Sequence, residues 1–146
     1  KYHRFHDLLH PTSYAKRQIK RLNKYTLRPI IYRPKPSWQD AQPIDGTTFS
    51  WKGQSIDDVL PNCHALVTHG SNACFEAMLA GVPSIILGDA VAKPSSSTEL
   101  SEIENPRLAS DEERLQLLSN LAYCQWNLGE FSEGVAWDVI KRQILS

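Results

Sequence analysis

The chain reads HALVTHGSNACFEAMLAGVPSIIL from His64 to Leu87, and this stretch predicts a strand, a polar turn, a helix and a second strand. Ala65 to Val67 is a short apolar run without polar alternation, which is typical of a parallel strand covered on both faces. Ala73 to Ala80 is rich in helix formers, and a glycine and a proline follow to end that helix. Val82 to Leu87 gives the second apolar strand. The pattern predicts a βαβ unit within an α/β domain.

The turn between that strand and the helix carries polar residues at the place where open parallel sheets bind ligands. Thr68 to Asn72 supplies a flexible glycine and side chains that can cap a helix. A helix N-terminus at this edge offers unpaired N–H groups and the positive end of the helix dipole, which suit a phosphate. We therefore expect Gly70, Ser71 and Asn72 to bind a phosphate group. The alternative is that this turn only caps the helix.

A second polar cluster, Arg33 and Lys35, follows a short strand predicted at Ile30 to Tyr32. If both strands belong to one sheet, a guanidinium and an ammonium lie at the same sheet edge as the turn. Two positive charges, one of them with the forked donors of arginine, suit a diphosphate. The alternative is a solvated rim of the sheet.

Two further side chains near the turn are candidates for chemistry. Glu76 lies one helical turn beyond Asn72, where a carboxylate can accept hydrogen bonds from a ribose diol, although surface carboxylates on helices are common. His69 is either an active-site residue or a packing histidine. The sequence contains no Ser–His–Asp order, no metal-ligand spacing and no P-loop. We therefore expect neither a metal nor a cofactor.

The remaining segments predict further helices and one edge strand. Taken together, they predict a single domain over residues 1–146, with a Rossmann-like open parallel sheet of about four strands flanked by helices and with two C-terminal helices. Trp126 and Trp137 are expected to anchor the core of that C-terminal pair. The predicted elements are a helix over Tyr14 to Leu27, a strand over Thr47 to Trp51, a helix over Ser55 to Leu60, and helices over Asp111 to Leu128 and Ser132 to Leu145.

The overall charge favours no particular class of partner. Sixteen basic and sixteen acidic side chains among 146 residues give no net charge, so the molecule as a whole has no bias toward nucleic acid or membrane. The basic residues nevertheless concentrate in the N-terminal third. Three widely spaced cysteines are typical of a reduced, cytoplasmic protein. No apolar run is long enough to span a membrane. The chain lacks an initiating Met, so we expect it to be part of a longer protein.

The stretch Val67 to Ala73, continued by Glu76 to Pro83, resembles the nucleotide-sugar half of GT-B glycosyltransferases, in which the pattern S-N/T-x-x-x-E-A-x-x-x-G-x-P recurs. It is most similar to the transferases of capsular polysaccharide and lipopolysaccharide synthesis, including those that transfer Kdo. Tyr32 to Pro36 resembles the R-x-K/H-P strand end of the same enzymes. Nucleotide-sugar epimerases share this half-domain.

The resemblance implies a role for each candidate residue. Ser71 and Asn72 would bind the donor phosphates, Glu76 the ribose, and Arg33 and Lys35 would neutralise the donor. His69 would lie close to the sugar, as a catalytic residue. A GT-B enzyme also needs an N-terminal acceptor domain, which this chain has no room for. We therefore expect a missing N-terminal domain, a partner chain or a homodimer. The alternatives are an epimerase half-domain or a non-catalytic module that binds nucleotides or anions.

Overall fold

The protein is described by a computed structural model that covers residues 10–50 and 53–145. It consists of two compact units, the first ending at Ser110 and the second beginning at Asp111. The first unit contains the parallel strands, and the second is helical. The described chain is therefore mixed α/β. A single domain over residues 1–146 stays a prediction.

The first helix, α1, spans Pro11–Leu22, so the predicted bounds Tyr14 and Leu27 are wrong at both ends. It begins earlier because Pro11 suits the first helical position and because the His10 ring accepts a hydrogen bond from the Thr12 amide at 3.4 Å. It ends earlier because a turn follows at Asn23. A histidine that caps a helix is rare, and the sequence pattern did not reveal it.

The described residues contain four strands, β1 Ile31–Tyr32, β2 Thr48–Phe49, β3 Leu66–Thr68 and β4 Ser84–Ile86. They pair as β1 with β2 and β3 with β4, and both pairs are parallel. The single four-stranded sheet predicted from the sequence is not confirmed, because these pairs form two separate sheets. Strands of two or three residues are short for a continuous ladder across four strands. Ser97 adds a parallel bridge to Ile85 beside β4.

Short helical elements connect the strands. Helix α2, Ile56–Val59, lies within the helix predicted over Ser55 to Leu60; it is capped by Ser55 and leads into a 3-10 turn at Leu60–Asn62. Helix α3, Ala73–Leu79, joins β3 to β4, and Gly81 follows it with a φ of 70°. A glycine in this left-handed conformation is the usual helix end, so this part of the prediction is confirmed. Two further 3-10 turns span Lys93–Ser95 and Leu100–Glu102.

The pair β3–β4 is packed on both faces. One buried cluster contains Leu22, Ile85, Leu100 and Ile103, and Ile30 and Val67 pack against it. A second cluster contains Leu60, Ala77 and Val82, and Leu66 packs against it. Adjacent residues of β3 therefore contribute to opposite clusters, as expected for alternating side chains of a strand. The βαβ unit predicted from the sequence is confirmed at this place.

The second unit contains three helices rather than the predicted two: α4 Asp111–Tyr123, α5 Leu128–Ser132 and α6 Val135–Leu145. The predicted end of the first of these helices at Leu128 is wrong, because α4 ends at Tyr123 and Leu128 begins α5, which also contains Gly129. The chain breaks instead at Gly134, which has a φ of 78°. Trp137, predicted to be a core residue, is exposed. Among the described residues, no helix combines the length and the apolar character needed to cross a bilayer.

Candidate functional site

The turn after β3 is held by hydrogen bonds within itself. The Ser71 amide donates to the Thr68 hydroxyl, and the Ser71 hydroxyl accepts from the Ala73 amide, each at 3.2 Å. Ser71 therefore satisfies the first amide of helix α3 from the position before the N-cap residue, Asn72, which is close to the helix-capping role considered as the alternative. Asn72 is exposed, and its side chain makes no capping bond. Because α3 has only seven residues, any phosphate here depends on side chains as well as on the helix dipole.

Two glycines allow the chain segments after β3 and β4 to approach closely. A Cβ atom at Gly70 would lie 2.6 Å from the carbonyl oxygen of Asp89. A Cβ atom at Gly88 would lie 2.5 Å from the His69 carbonyl oxygen and 2.6 Å from its Nε2 atom. Both positions therefore require glycine for steric reasons. Gly88 was not among the residues singled out from the sequence, although it directly follows an apolar strand.

His69 is fixed by a tyrosine from helix α1. The Tyr14 hydroxyl lies 2.7 Å from Nδ1 of His69, and the two rings are nearly perpendicular, with centroids 5.1 Å apart. Tyr14 is buried, and the Arg17 guanidinium lies 5.5 Å from the centroid of its ring. These contacts bring a positive charge from α1 toward the edge of β3. Sequence reasoning missed Tyr14 as a site residue because it precedes His69 by 55 positions.

Glu76 carries a buried oxygen without a hydrogen-bond donor. The residue is half-buried, and within the described part of the chain its Oε2 atom accepts no hydrogen bond. Burial raises the pKa of the neighbouring Cys74 thiol, and the charge of Glu76 raises it further. A buried polar atom without a partner costs about 1–3 kcal/mol, and more when it is charged. A hydroxyl group of a bound molecule would satisfy this atom by donating a hydrogen bond to it.

Arg33 directly follows β1, and its guanidinium is hydrogen-bonded to residues that follow β2, the partner strand of β1. Its Nη1 atom donates to the Ser50 hydroxyl at 2.8 Å, and its Nη2 atom donates to the Gln54 carbonyl oxygen at 2.7 Å. These two bonds use two of the five guanidinium N–H groups. Lys35 is exposed, and no described residue forms a hydrogen bond or ion pair with its ammonium.

The structure groups some of the candidate residues and separates others. His69, Gly70, Ser71, Asn72 and Glu76 share the β3–α3 segment. Arg33 and Lys35 follow β1, in the other sheet, and no hydrogen bond among the described residues joins them to the turn. Ile30 and Val67 pack against the same buried cluster, so the two sheets share one core.

Comparisons with protein-family models, with curated proteins and with solved structures find no match for this chain. The resemblance to GT-B glycosyltransferases therefore rests on the motif residues themselves. Among the described residues, no group of three or more histidine, cysteine, aspartate or glutamate side chains is arranged to hold a metal ion. Three groups of the site could contact a ligand. They are the Glu76 Oε2 atom, which accepts no hydrogen bond from the described residues, the exposed side-chain amide of Asn72, and the Arg17 guanidinium beside Tyr14.

Proposed function

We propose that this chain is the nucleotide-sugar-binding domain of a glycosyltransferase of surface polysaccharide synthesis, with its site at the β3–α3 turn. The observation that carries the proposal is the buried Oε2 atom of Glu76, which lies one helical turn beyond Asn72 and accepts no hydrogen bond from any residue that the structure describes. A ribose diol supplies hydroxyl donors for a carboxylate. The same ligand carries phosphates that extend toward the turn.

The spacing within α3 fits a nucleoside diphosphate. Residues four apart on a helix lie about 6 Å from each other, which is comparable to the distance from a ribose ring to its phosphates. The exposed Asn72 amide and the Gly70 backbone would then contact phosphate oxygens. Glu76 would accept hydrogen bonds from the ribose of the nucleoside, and the turn would bind the negatively charged phosphates.

Positive charge at the site would stabilise the leaving phosphate during sugar transfer. Lys35 lacks a partner among the described residues, and Arg17 lies against the tyrosine that contacts His69. Charge stabilisation of this kind acts where negative charge develops in the transition state. His69 would lie near the transferred sugar. The acceptor and the base for its hydroxyl would come from a separate N-terminal domain or a partner chain.

A non-catalytic nucleotide- or anion-binding module is the second candidate, and the internal hydrogen bonds of the site favour it. Arg33 already donates to Ser50 and Gln54, and the Ser71 hydroxyl already accepts from Ala73. Groups that already form hydrogen bonds within the protein contribute less to neutralising a leaving phosphate. Such a module would bind the nucleotide at the same place without transferring the sugar.

The proposal is tested by thermal unfolding in the presence of CMP, UDP, GDP and their sugar derivatives. A ligand present at 100 times its Kd stabilises the native state by about 2.7 kcal/mol and raises the Tm by several degrees. We expect one nucleotide class to raise the Tm of the wild type, and Glu76→Gln to reduce that shift. Glu133→Gln, which changes an exposed carboxylate outside the site, is the matched control. The absence of a shift with every nucleotide would overturn the proposal.

A further inference from the structure

Helix α1 presents a continuous basic surface on its exposed side. Lys16, Lys20 and Lys24 follow one another at four-residue spacing, and Arg17 and Arg21 lie beside them. All five are exposed, whereas Tyr14 and Leu22 of the same helix are buried in the core. Residues four apart lie on one face of a helix, so Lys16 lines up with Lys20 and Arg17 with Arg21 along α1, and Lys24 lies in the turn that follows the helix. We call these five residues the basic stripe.

The three lysines of the basic stripe form no ion pair within the part of the chain that the structure describes. From His10 to Gln39 the chain contains no aspartate or glutamate. The ammonium groups of Lys16, Lys20 and Lys24 have no hydrogen bond or ion pair with any described residue. Like charges four residues apart destabilise a helix, and α1 carries two such pairs, Lys16–Lys20 and Arg17–Arg21. Packing of Tyr14 and Leu22 offsets this repulsion, and an anionic partner would remove it.

Two exposed side chains, Tyr25 and Leu27, follow the basic stripe in the chain, and we call them the apolar projection. Leu27 is fully exposed, and Tyr25 is about half exposed at 47%. Leu27 follows Lys24 by three residues, so their Cα atoms are at most about 11 Å apart. Arg28, on the other side of Leu27, is tied to Glu104 by an ion pair of 3.1 Å. This contact, together with the Thr26 hydroxyl bonded to the same carboxylate, anchors the backbone on both sides of Leu27.

We propose that the basic stripe, together with Tyr25 and Leu27, binds the surface of an anionic lipid bilayer. Clustered lysines attract anionic headgroups, and each basic side chain near the surface adds to the affinity. An exposed leucine that follows an exposed tyrosine by two residues can enter the boundary between headgroups and acyl chains. A soluble polyanion, such as a nucleic acid, offers the leucine no apolar environment. The apolar projection therefore favours a bilayer over a soluble polymer.

The test is co-sedimentation of the full chain with vesicles of phosphatidylcholine, with and without phosphatidylglycerol. We expect binding only to the vesicles that contain phosphatidylglycerol, and we expect salt to weaken it. The triple variant Lys16→Gln/Lys20→Gln/Lys24→Gln should bind about tenfold more weakly or worse. The triple variant Lys93→Gln/Lys141→Gln/Arg142→Gln removes the same formal charge elsewhere and should bind as the wild type does. Circular dichroism of each variant checks that it is folded.

The apolar contribution is tested separately with Leu27→Ser. This variant should lose several-fold in vesicle affinity and keep its affinity for heparin, a soluble polyanion without an apolar phase. Leu128→Ser changes a comparably exposed leucine in the second unit and serves as the control. The proposal is overturned if anionic vesicles do not bind the chain, if both triple variants bind alike, or if Leu27→Ser leaves vesicle binding unchanged. None of the substitutions in these tests changes a residue that is proposed to bind the nucleotide, so the two proposals can fail separately.

Discussion

The hydroxyl of Tyr14 lies 2.7 Å from Nδ1 of His69, and this hydrogen bond joins helix α1 to the end of β3. It fixes the imidazole between the tyrosine ring and the backbone at Gly88, where a Cβ atom would contact Nε2. Because this hydrogen bond and the ring contact hold the imidazole, Tyr14 determines how His69 is oriented. Tyr14 is thereby a positioning residue for the proposed site.

Removal of this hydroxyl is expected to destabilise the first unit. Tyr14→Phe keeps the ring packing and deletes one partly buried hydrogen bond, so the free energy of unfolding should fall by about 1 kcal/mol. Tyr25→Phe, in an exposed tyrosine near the same helix, should leave it unchanged. Urea unfolding followed by circular dichroism measures both. Equal stability of the two variants would contradict the structural role of the Tyr14–His69 bond.

The two glycines at the strand ends should not tolerate a side chain. Gly70→Ala and Gly88→Ala each place a methyl group against backbone atoms at less than 3 Å, so each should cost about 1–3 kcal/mol of stability. Gly53→Ala is the control, because a Cβ atom there meets nothing within 4 Å. Thermal unfolding of the three variants measures the difference. A loss at Gly53 as large as that at Gly88 would argue against the close approach of the two segments.

Acid should weaken the first unit through two glutamates. Hydrogen bonds from Thr26 and Arg28 lower the pKa of Glu104, and the backbone amides of Glu99 and Thr98 and the Ser97 hydroxyl lower that of Glu102. A carboxyl whose pKa is lower in the folded state contributes stability above its unfolded value of 4.5, and this stability is lost as the pH falls through the folded pKa.

The measurement is the urea midpoint as a function of pH. It should fall between pH 5 and pH 3 in the wild type and fall less steeply in Glu104→Gln, which is less stable at neutral pH. Glu133→Gln, an exposed carboxylate in the second unit, should keep the wild-type slope. An unchanged slope in Glu104→Gln would contradict the assigned role of this carboxylate.

Capping and ligand binding can be separated within the turn. Ser71→Ala removes the acceptor for the Ala73 amide and should lower stability by about 1 kcal/mol. Asn72→Ala removes an exposed side chain without a capping bond, so stability should change by less than about 0.5 kcal/mol. Its affinity for the nucleotide should nevertheless fall by about 1–3 kcal/mol. Unfolding and calorimetric titration of both variants test this division. Unchanged affinity in Asn72→Ala would remove this residue from the phosphate site.

The local elements of the βαβ unit could be predicted closely, because their signals lie within a few residues. An apolar run, a polar turn and a glycine after the helix are sufficient to place β3, α3 and β4. The pairing of strands depends on contacts between distant segments, so the division into two sheets could not be read from the pattern. Trp137 shows the same limit, because an amphipathic pattern does not reveal which helix face finds a partner.

The candidate site was predictable only where its residues are close in sequence. The turn and Glu76 lie on one segment, and their relative placement follows from helix geometry. Tyr14 contacts His69 only through the tertiary fold, and the hydrogen bonds of Arg33 to Ser50 and Gln54 depend on how the chain after β2 returns to β1. None of these contacts has a signature in the sequence.

The central claim is that Glu76 accepts hydrogen bonds from the ribose diol. It is tested most directly by a calorimetric cycle that combines one substitution in the protein with one change in the ligand. Wild type and Glu76→Gln are each titrated with UDP, with its 2′,3′-dideoxy analogue and with pyrophosphate, or with the corresponding set for CMP or GDP if that base gives the larger thermal shift. We expect Glu76→Gln to weaken nucleotide binding about tenfold or more. The dideoxy analogue should bind both proteins equally weakly, and pyrophosphate should bind both alike. Equal effects of the substitution on the ribose and dideoxy ligands would contradict the claim.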